Sequence, residues 1–224
     1  MTGDSAGEVD RHELAWDAGA GTGQASVALA EHFRHVIATD ASAAQIDRAE
    51  PHPRVEYRVA RAEASGIPGG AADLVMAAQA LHWFDVDEFF TEARRVAAAR
   101  GVVAVCTYGR LATGAPALDR VFDRFYDEVV GPWWPPERRL VETGYATLPF
   151  PFAELVPPAF EMTALWTLRE LLGYIGTWSA TARLRAATSV DPIQELEGEA
   201  APAWGTVDRR EVRWPLTVRA GRCT

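Results

Sequence analysis

The sequence predicts an α/β fold: a mostly parallel, seven-stranded sheet with an antiparallel C-terminal hairpin and helices on both faces. Three observations predict it. Short apolar runs alternate with helix-like stretches as far as about Tyr108, joined by short loops. A glycine-rich turn, Asp17-Ala18-Gly19-Ala20-Gly21-Thr22-Gly23, stands where the first strand gives way to the first helix. An acidic residue, Asp40, closes the second strand.

Leu14–Ala18 reads as the first strand, and Gly23–Phe33 as a helix that turns Val27, Ala28, Ala30 and Phe33 inward. His35–Asp40 is a second strand, and Ala43–Ala49 a second helix stopped by Pro51. Val55–Val59 gives a third strand, and Ala72–Ala78 a fourth behind the Gly69-Gly70 turn. Asp87–Ala98 is predicted helical because Phe89, Phe90, Ala93 and Val96 recur at helical spacing. Gly101–Thr107 is almost continuously apolar, as a strand buried on both faces requires. From Leu111 to about Pro158 the chain turns helical, aromatic and proline-rich, with Phe122, Phe125, Tyr126 and Trp133-Trp134-Pro135-Pro136. Phe160–Leu165 and Glu211–Arg219 alternate apolar and polar residues and read as antiparallel strands, with helices around Leu168–Thr177 and Ile193–Trp204 between them. The organisation expected is one domain over residues 1–224: a ligand-binding core at 14–108, an aromatic lid at 111–158, and strands and helices completing the sheet at 159–219.

The 224 residues are 48% hydrophobic and 24% charged, ordinary for a soluble globular chain. A net charge of −9, with no arginine-rich face and only scattered arginine pairs, argues against a nucleic-acid partner, which needs a concentrated positive stripe. No apolar run is long enough to span a bilayer, and Met1–Asp10 is polar and acidic, unlike a signal peptide. The expectation is therefore a cytoplasmic protein with no membrane partner. Cys106 lies in an apolar run and Cys223 in the tail, and the five histidines form no cluster, so no metal site is expected. Nothing in the sequence fixes an oligomeric state.

The glycine turn carries the chemistry. Glycines let the backbone bend tightly and let a ligand approach without meeting a Cβ. In a sheet of this type, Asp40 points into the crevice outside the strand ends, where a carboxylate can accept both hydroxyls of a ribose. Two nucleotide cofactors use that geometry. A dinucleotide fingerprint needs a glycine or alanine at the sixth position of G-x-G-x-x-G/A; counted from Gly19 that position is Gln24, and from Gly21 it is Ser26. Asp17, just before the turn, would sit poorly beside a pyrophosphate and well beside an ammonium or sulfonium group. The pattern favours S-adenosylmethionine (SAM) over NAD, against the plainer possibility of a bare structural turn.

With those residues in view, the sequence resembles the class I SAM-dependent methyltransferases, which have a Rossmann-like fold. Within them it resembles the small-molecule group that includes trans-aconitate methyltransferase-like proteins. The resemblance covers about Leu14 to Arg222. It rests on Trp16–Gln24, Ile37-Ala38-Thr39-Asp40-Ala41-Ser42, Arg61-Ala62-Glu63 before Ile67-Pro68, and Gln79-Ala80-Leu81-His82-Trp83-Phe84. Looser matches are Pro149–Phe152, Tyr174–Ser179 and Val212–Leu216. It implies that Asp17, Ala18 and the Gly19–Gly23 turn, with Gly21, hold the methionine end of SAM. It implies that Asp40 and Ala41 meet the ribose, and that Ala62 and Glu63 lie by the adenine. Gln79, Ala80 and Leu81 would line the floor under the sulfonium, and His82 and Trp83 would face the mouth of a small-molecule substrate.

Plainer readings stand beside these. Glu63 could be a solvated loop carboxylate, and His82 a packed histidine beside Trp83. Trp178 and Trp214 read as core. Trp133-Trp134 could be lid or core, and Arg138 and Arg139 could pair with a substrate carboxylate or decorate a helix surface.

Methyl transfer from a sulfonium gains chiefly from aligning the nucleophile and excluding water. A carboxylate acceptor needs no base, whereas a hydroxyl acceptor would make His82 the candidate general base. Two departures from the family pattern stand out, the second of them minor. Only Met1–Glu13 precedes Leu14, where related enzymes carry a helical segment over SAM, and Ala98-Ala99-Arg100-Gly101 replaces the usual Lys/Arg-Pro-Gly-Gly. The expected activity is methyl transfer to oxygen of a small molecule; the alternative is a SAM-binding or regulatory domain without turnover.

Overall fold

The computed structural model describes residues 11–223; the expectations drawn from Met1–Asp10 lie outside them. Internal contacts divide the chain into two units. Unit 1 comprises residues 1–108, 140–160 and 216–224; unit 2 comprises 109–139 and 161–215. The 111–158 stretch is thus shared, with 111–139 in unit 2 and 140–158 in unit 1.

Unit 1 is built on a sheet whose first five strands are β1 (Leu14–Ala18), β2 (His35–Asp40), β3 (Val55–Val59), β4 (Ala72–Ala78) and β5 (Ala97–Tyr108). They run parallel in the order β3-β2-β1-β4-β5. The last strand, β8 (Arg210–Arg222), adds antiparallel to β5, pairing Val102 with Arg222 through Tyr108 with Leu216, and the two-residue β6 (Ala153–Glu154) joins its far side. This is the mixed sheet with an antiparallel end that the pattern predicts, enlarged by one short strand. The chain leaves β1 toward β2 on one side and returns to β4 on the other. That reversal opens a crevice at the carboxyl ends of β1 and β4.

Both faces of the sheet are apolar. Trp16, Ile37, Val75, Val103 and Val105 meet Phe89, Phe90, Ala93 and Val96 on one side. Ala15, Val36, Leu74, Val102 and Ala104 meet Leu29, Ala30 and Phe33 on the other. The helices supplying those faces are α1 (Gln24–Leu29), with the turn after it, and α3 (Val86–Val96); α2 (Ala43–Ile46) is a single turn. Asp85 caps α3 by accepting from the Glu88 amide at 3.1 Å.

Three boundaries differ from the sequence reading. α1 and α2 stop earlier than their apolar spacing suggests. Ala97–Arg100, predicted as helix end and loop, is strand, because Ala97 pairs with Ala72 across a bulge in the β4–β5 ladder.

Unit 2 contains α4 (Pro116–Arg124), a π-helical turn Phe125–Val129, α6 (Leu168–Gly176), α7 (Ser179–Thr188), α8 (Pro192–Trp204) and β7 (Phe160–Trp166), which pairs with β8. The short α5 (Arg138–Glu142) spans the boundary between the units. A ring cluster fills unit 2: Tyr126, Trp134, Trp178, Tyr174, Trp166 and Trp214 lie in successive contacts with centroids 5.0–6.0 Å apart. Among the described residues no helix is long and apolar enough to cross a membrane, and no acidic, histidine and cysteine group could hold a metal ion.

Candidate functional site

Four loops, each leaving the carboxyl end of one of β1 to β4, enclose a cavity of about 440 Å³ in unit 1. The sequence places glycines in the first of them because the chain must reverse there. Gly19 and Gly21 have φ of +71° and +56°, conformations that cost a side-chain-bearing residue about 1–3 kcal/mol. A Cβ on Gly19 would lie 2.5 Å from the Ala80 Cβ, so the turn also packs directly against the loop after β4. A Cβ on Gly21 would meet nothing within 4 Å; it would project into open space where Gly21 lines the cavity. The turn is tied to β2 by the Gly19 and Ala20 amides, which donate to the Thr39 carbonyl at 2.8 and 3.0 Å.

Asp17 is the electrostatic feature of the site. It is 1% exposed, and Ser26 donates to its Oδ2 at 2.6 Å, while its Oδ1 is buried with no hydrogen-bond partner. Burial, with a smaller push from the Asp40 charge and against the Ser26 hydrogen bond, lifts its carboxyl to about 6 from 3.8. A buried oxygen that lacks a donor is costly, and a cationic N–H group is the partner that relieves both the missing bond and the buried charge.

Asp40 at the end of β2 accepts from the Gly21 amide through Oδ2 at 2.9 Å and from the Ser42 amide through Oδ1 at 2.8 Å. Those bonds fix the carboxylate at the cavity wall and leave each oxygen a second lone pair for a ligand hydroxyl. Ala41, Ala62 and Glu63 line the next stretch of wall. Glu63 accepts from the Asp85 amide at 2.9 Å and from Arg61 at 3.2 Å. Burial alone would raise its carboxyl, yet these donors, with its own amide, hold it below the usual range. The side chain thus ties the loop after β3 to the start of α3.

Gln79, Ala80 and Trp83 line the remaining side. Gln79 carries φ +52°, a strained value for a non-glycine residue, and accepts from the buried Thr107 hydroxyl at 2.6 Å. Trp83 is 57% exposed at the cavity.

Seven predicted residues lie off the lining. Ala18 and Leu81 are core, Gly23 is buried against Tyr57, and Asp17 is buried beside the glycine turn. His82 is half-buried and bonded through Nδ1 to the Tyr145 hydroxyl at 3.0 Å. Trp134 and Arg138 belong to unit 2. There the Arg138 guanidinium sits 4.5 Å from the Trp134 ring centroid and donates through Nε to the Tyr126 hydroxyl at 2.7 Å; Trp134 Nε1 is buried without a partner.

Sequence reasoning gave no site role to Ser42, Gln45, Ala60, Arg61 and Phe84, all on the wall; the first, fourth and fifth stood only within the quoted motifs. Ala60 was findable, because it follows β3 and its amide donates to the Asp40 carbonyl at 3.0 Å.

The family described as a methyltransferase domain matches residues 16–105, which contain the whole cavity lining. A solved structure of a protein from Anaeromyxobacter dehalogenans, classed as a type II methyltransferase, superposes with a TM-score of 0.91 at 46% identity. It covers 97% of this chain and 93% of that one. A Dictyostelium discoideum protein classed among methyltransferases is 32% identical over 201 residues, which is 89% of this chain and 76% of the relative. Methyltransferase cfoB of Aspergillus candidus is 30% identical over 166 residues, 65% of this chain and 52% of its own length.

Proposed function

The chain belongs to the class I S-adenosylmethionine-dependent methyltransferases, and from that premise we propose that it transfers a methyl group to an oxygen of a small-molecule acceptor. Its cofactor is SAM. The residues fit that group, and the observation that carries the fit is the bare, buried Oδ1 of Asp17 beside an open glycine turn.

In this reading Asp17 receives the α-ammonium of SAM, and the turn at Gly19 and Gly21 gives its methionine end room. Asp40, held by two backbone amides, takes the ribose hydroxyls. Ala62 and the adjoining Glu63 border the adenine. Gln79 and Ala80 form the floor. When bound, the cofactor supplies a methyl group on a cationic sulfur; the chain's contribution is to hold it and keep water away. Trp83, exposed at the cavity, borders the acceptor, and His82 takes the proton where the acceptor is a hydroxyl. For unit 2 by itself, Trp134, with an unpartnered indole N–H, and Arg138, stacked over its ring, are proposed to meet a small molecule. The acceptor class follows the resemblance to the trans-aconitate methyltransferase-like group. The two free cysteines, Cys106 and Cys223, support a reducing compartment, the cytoplasm.

Isothermal titration with SAM and NAD, followed by a radiolabelled methyl-transfer screen over carboxylic acids and phenols, tests this. SAM is expected to bind, NAD not, and label is expected on acceptor oxygen. Binding of SAM with no labelled product from either class would replace the enzyme by a SAM-binding module.

A further inference from the structure

The turn Gly144–Tyr145 places two consecutive residues in the left-handed region, at φ +59° and +61°. For tyrosine this conformation costs about 1–3 kcal/mol, so surrounding contacts must hold it. They do. Arg219 of β8 donates through Nη1 to the carbonyls of Tyr145 and Leu148 at 2.9 and 2.8 Å, and through Nη2 to Glu154 at 2.6 Å. Gly144 lies so close to β8 that a Cβ would stand 2.8 Å from Thr217 Cγ2. The Tyr145 side chain is fully buried, at 1% exposure.

What this strained turn delivers is one hydroxyl. Tyr145 Oη lies 3.0 Å from His82 Nδ1, with the two rings inclined by 26°. His82 stands in the turn Leu81–Trp83, between the cavity residues Ala80 and Trp83, and packs on the Trp83 ring at 4.7 Å. A histidine in that sequence position can act on an acceptor only if its ring is held in one orientation and one tautomer.

We propose that Tyr145 is a positioning residue for His82: its hydroxyl oxygen accepts the Nδ1–H, which fixes the tautomer and confines proton exchange to Nε2. The inference rests on the reading of His82 as proton acceptor for a hydroxyl substrate. The opposite orientation, with the phenol donating to Nδ1, would put the ring hydrogen on Nε2, and the ring could take no further proton without breaking the bond. A phenol oxygen that accepts from Nδ1 keeps the same hydrogen bond in the neutral and protonated ring, so proton uptake needs no rearrangement. In the reaction the acceptor O–H proton moves to Nε2, the acceptor oxygen bonds the methyl carbon, and the electron pair of the broken carbon–sulfur bond stays on sulfur. His82 then returns the proton to water.

Nitrogen-15 NMR of histidine-labelled protein reads the tautomer directly and needs no acceptor, so it stands apart from the choice of substrate. The His82 signals are assigned by their loss in His82→Gln. Wild type is expected to show a protonated, pyrrole-type Nδ1 and a pyridine-type Nε2. Tyr145→Phe, which keeps the buried volume, is expected to move both shifts toward the averaged values of an exposed histidine while SAM affinity stays within twofold. A pyridine-type Nδ1 in the wild type overturns the proposal, and wild type alone decides that point even if the variant does not fold. Identical His82 shifts in wild type and a folded Tyr145→Phe overturn it too.

Discussion

Asp17 sits in a conflict between folding and binding. Its carboxyl is raised to about 6 in the folded protein, chiefly by burial, from 3.8 when exposed. Between those values the folded chain holds a proton that the unfolded chain has released, so this group makes stability fall as pH rises from about 4 to about 6. The rise of roughly two pH units corresponds to a penalty of up to about 3 kcal/mol above pH 6. Asp17→Asn removes the charge and keeps the shape. Urea denaturation without cofactor should find the variant more stable than wild type at pH 7.5, by up to about 3 kcal/mol, and the two should converge near pH 4. A variant less stable than wild type at pH 7.5 would mean that the buried charge is satisfied within the protein. Residues of this kind are legible in a sequence, since Asp17, the glycines and Asp40 are local signals whose chemistry does not depend on distant partners. Glu63 is different. Its site position follows from the resemblance, but its donor, the Asp85 amide, lies 22 residues on, and no spacing rule points to it.

At the scale of elements, the glycine turn contains two positions with the same backbone requirement and different surroundings. A methyl group on Gly19 meets Ala80 at 2.5 Å, whereas one on Gly21, a cavity-lining residue, meets no atom within 4 Å. Gly19→Ala combines left-handed strain with a collision and is expected to cost about 2–4 kcal/mol of stability. Gly21→Ala carries the strain alone, about 1 kcal/mol, but places its methyl where the cofactor would approach, so it should lose at least tenfold in SAM affinity while remaining folded. Thermal melts beside SAM titrations check the pair, and equal affinity losses at equal stability would detach Gly21 from the cavity's ligand. The same scale shows where sequence reasoning falters. Ala97–Arg100 looks like helix because alanine favours helices, and pairing with β4 overrides that preference. α7, Ser179–Thr188, has apolar residues too sparse to announce it, and β6 is two residues whose only reason to be extended is the edge of β8. The main strands were legible because burial on both faces makes them continuous apolar runs.

For the whole molecule, the order of the strands matters more than any single side chain. The switch between β1 and β4 gathers the ends of four strands, so residues as far apart in sequence as Gly19 and Phe84 share one cavity. The link between His82 and Tyr145, 63 residues apart, is a product of tertiary packing, and it shows how the fold adds to a site whose core the sequence already spells.

The most direct test is the affinity of SAM as a function of pH, measured by titration calorimetry on wild type and Asp17→Asn. If the α-ammonium pairs with Asp17, binding ionises a carboxyl that is half protonated near pH 6. Wild-type affinity should then rise from pH 5 to pH 7.5 with release of up to one proton, and Asp17→Asn should bind at least tenfold more weakly at pH 7.5 with no such rise. Equal affinity of the two proteins at pH 7.5, or a wild-type affinity flat across that range, would contradict the account.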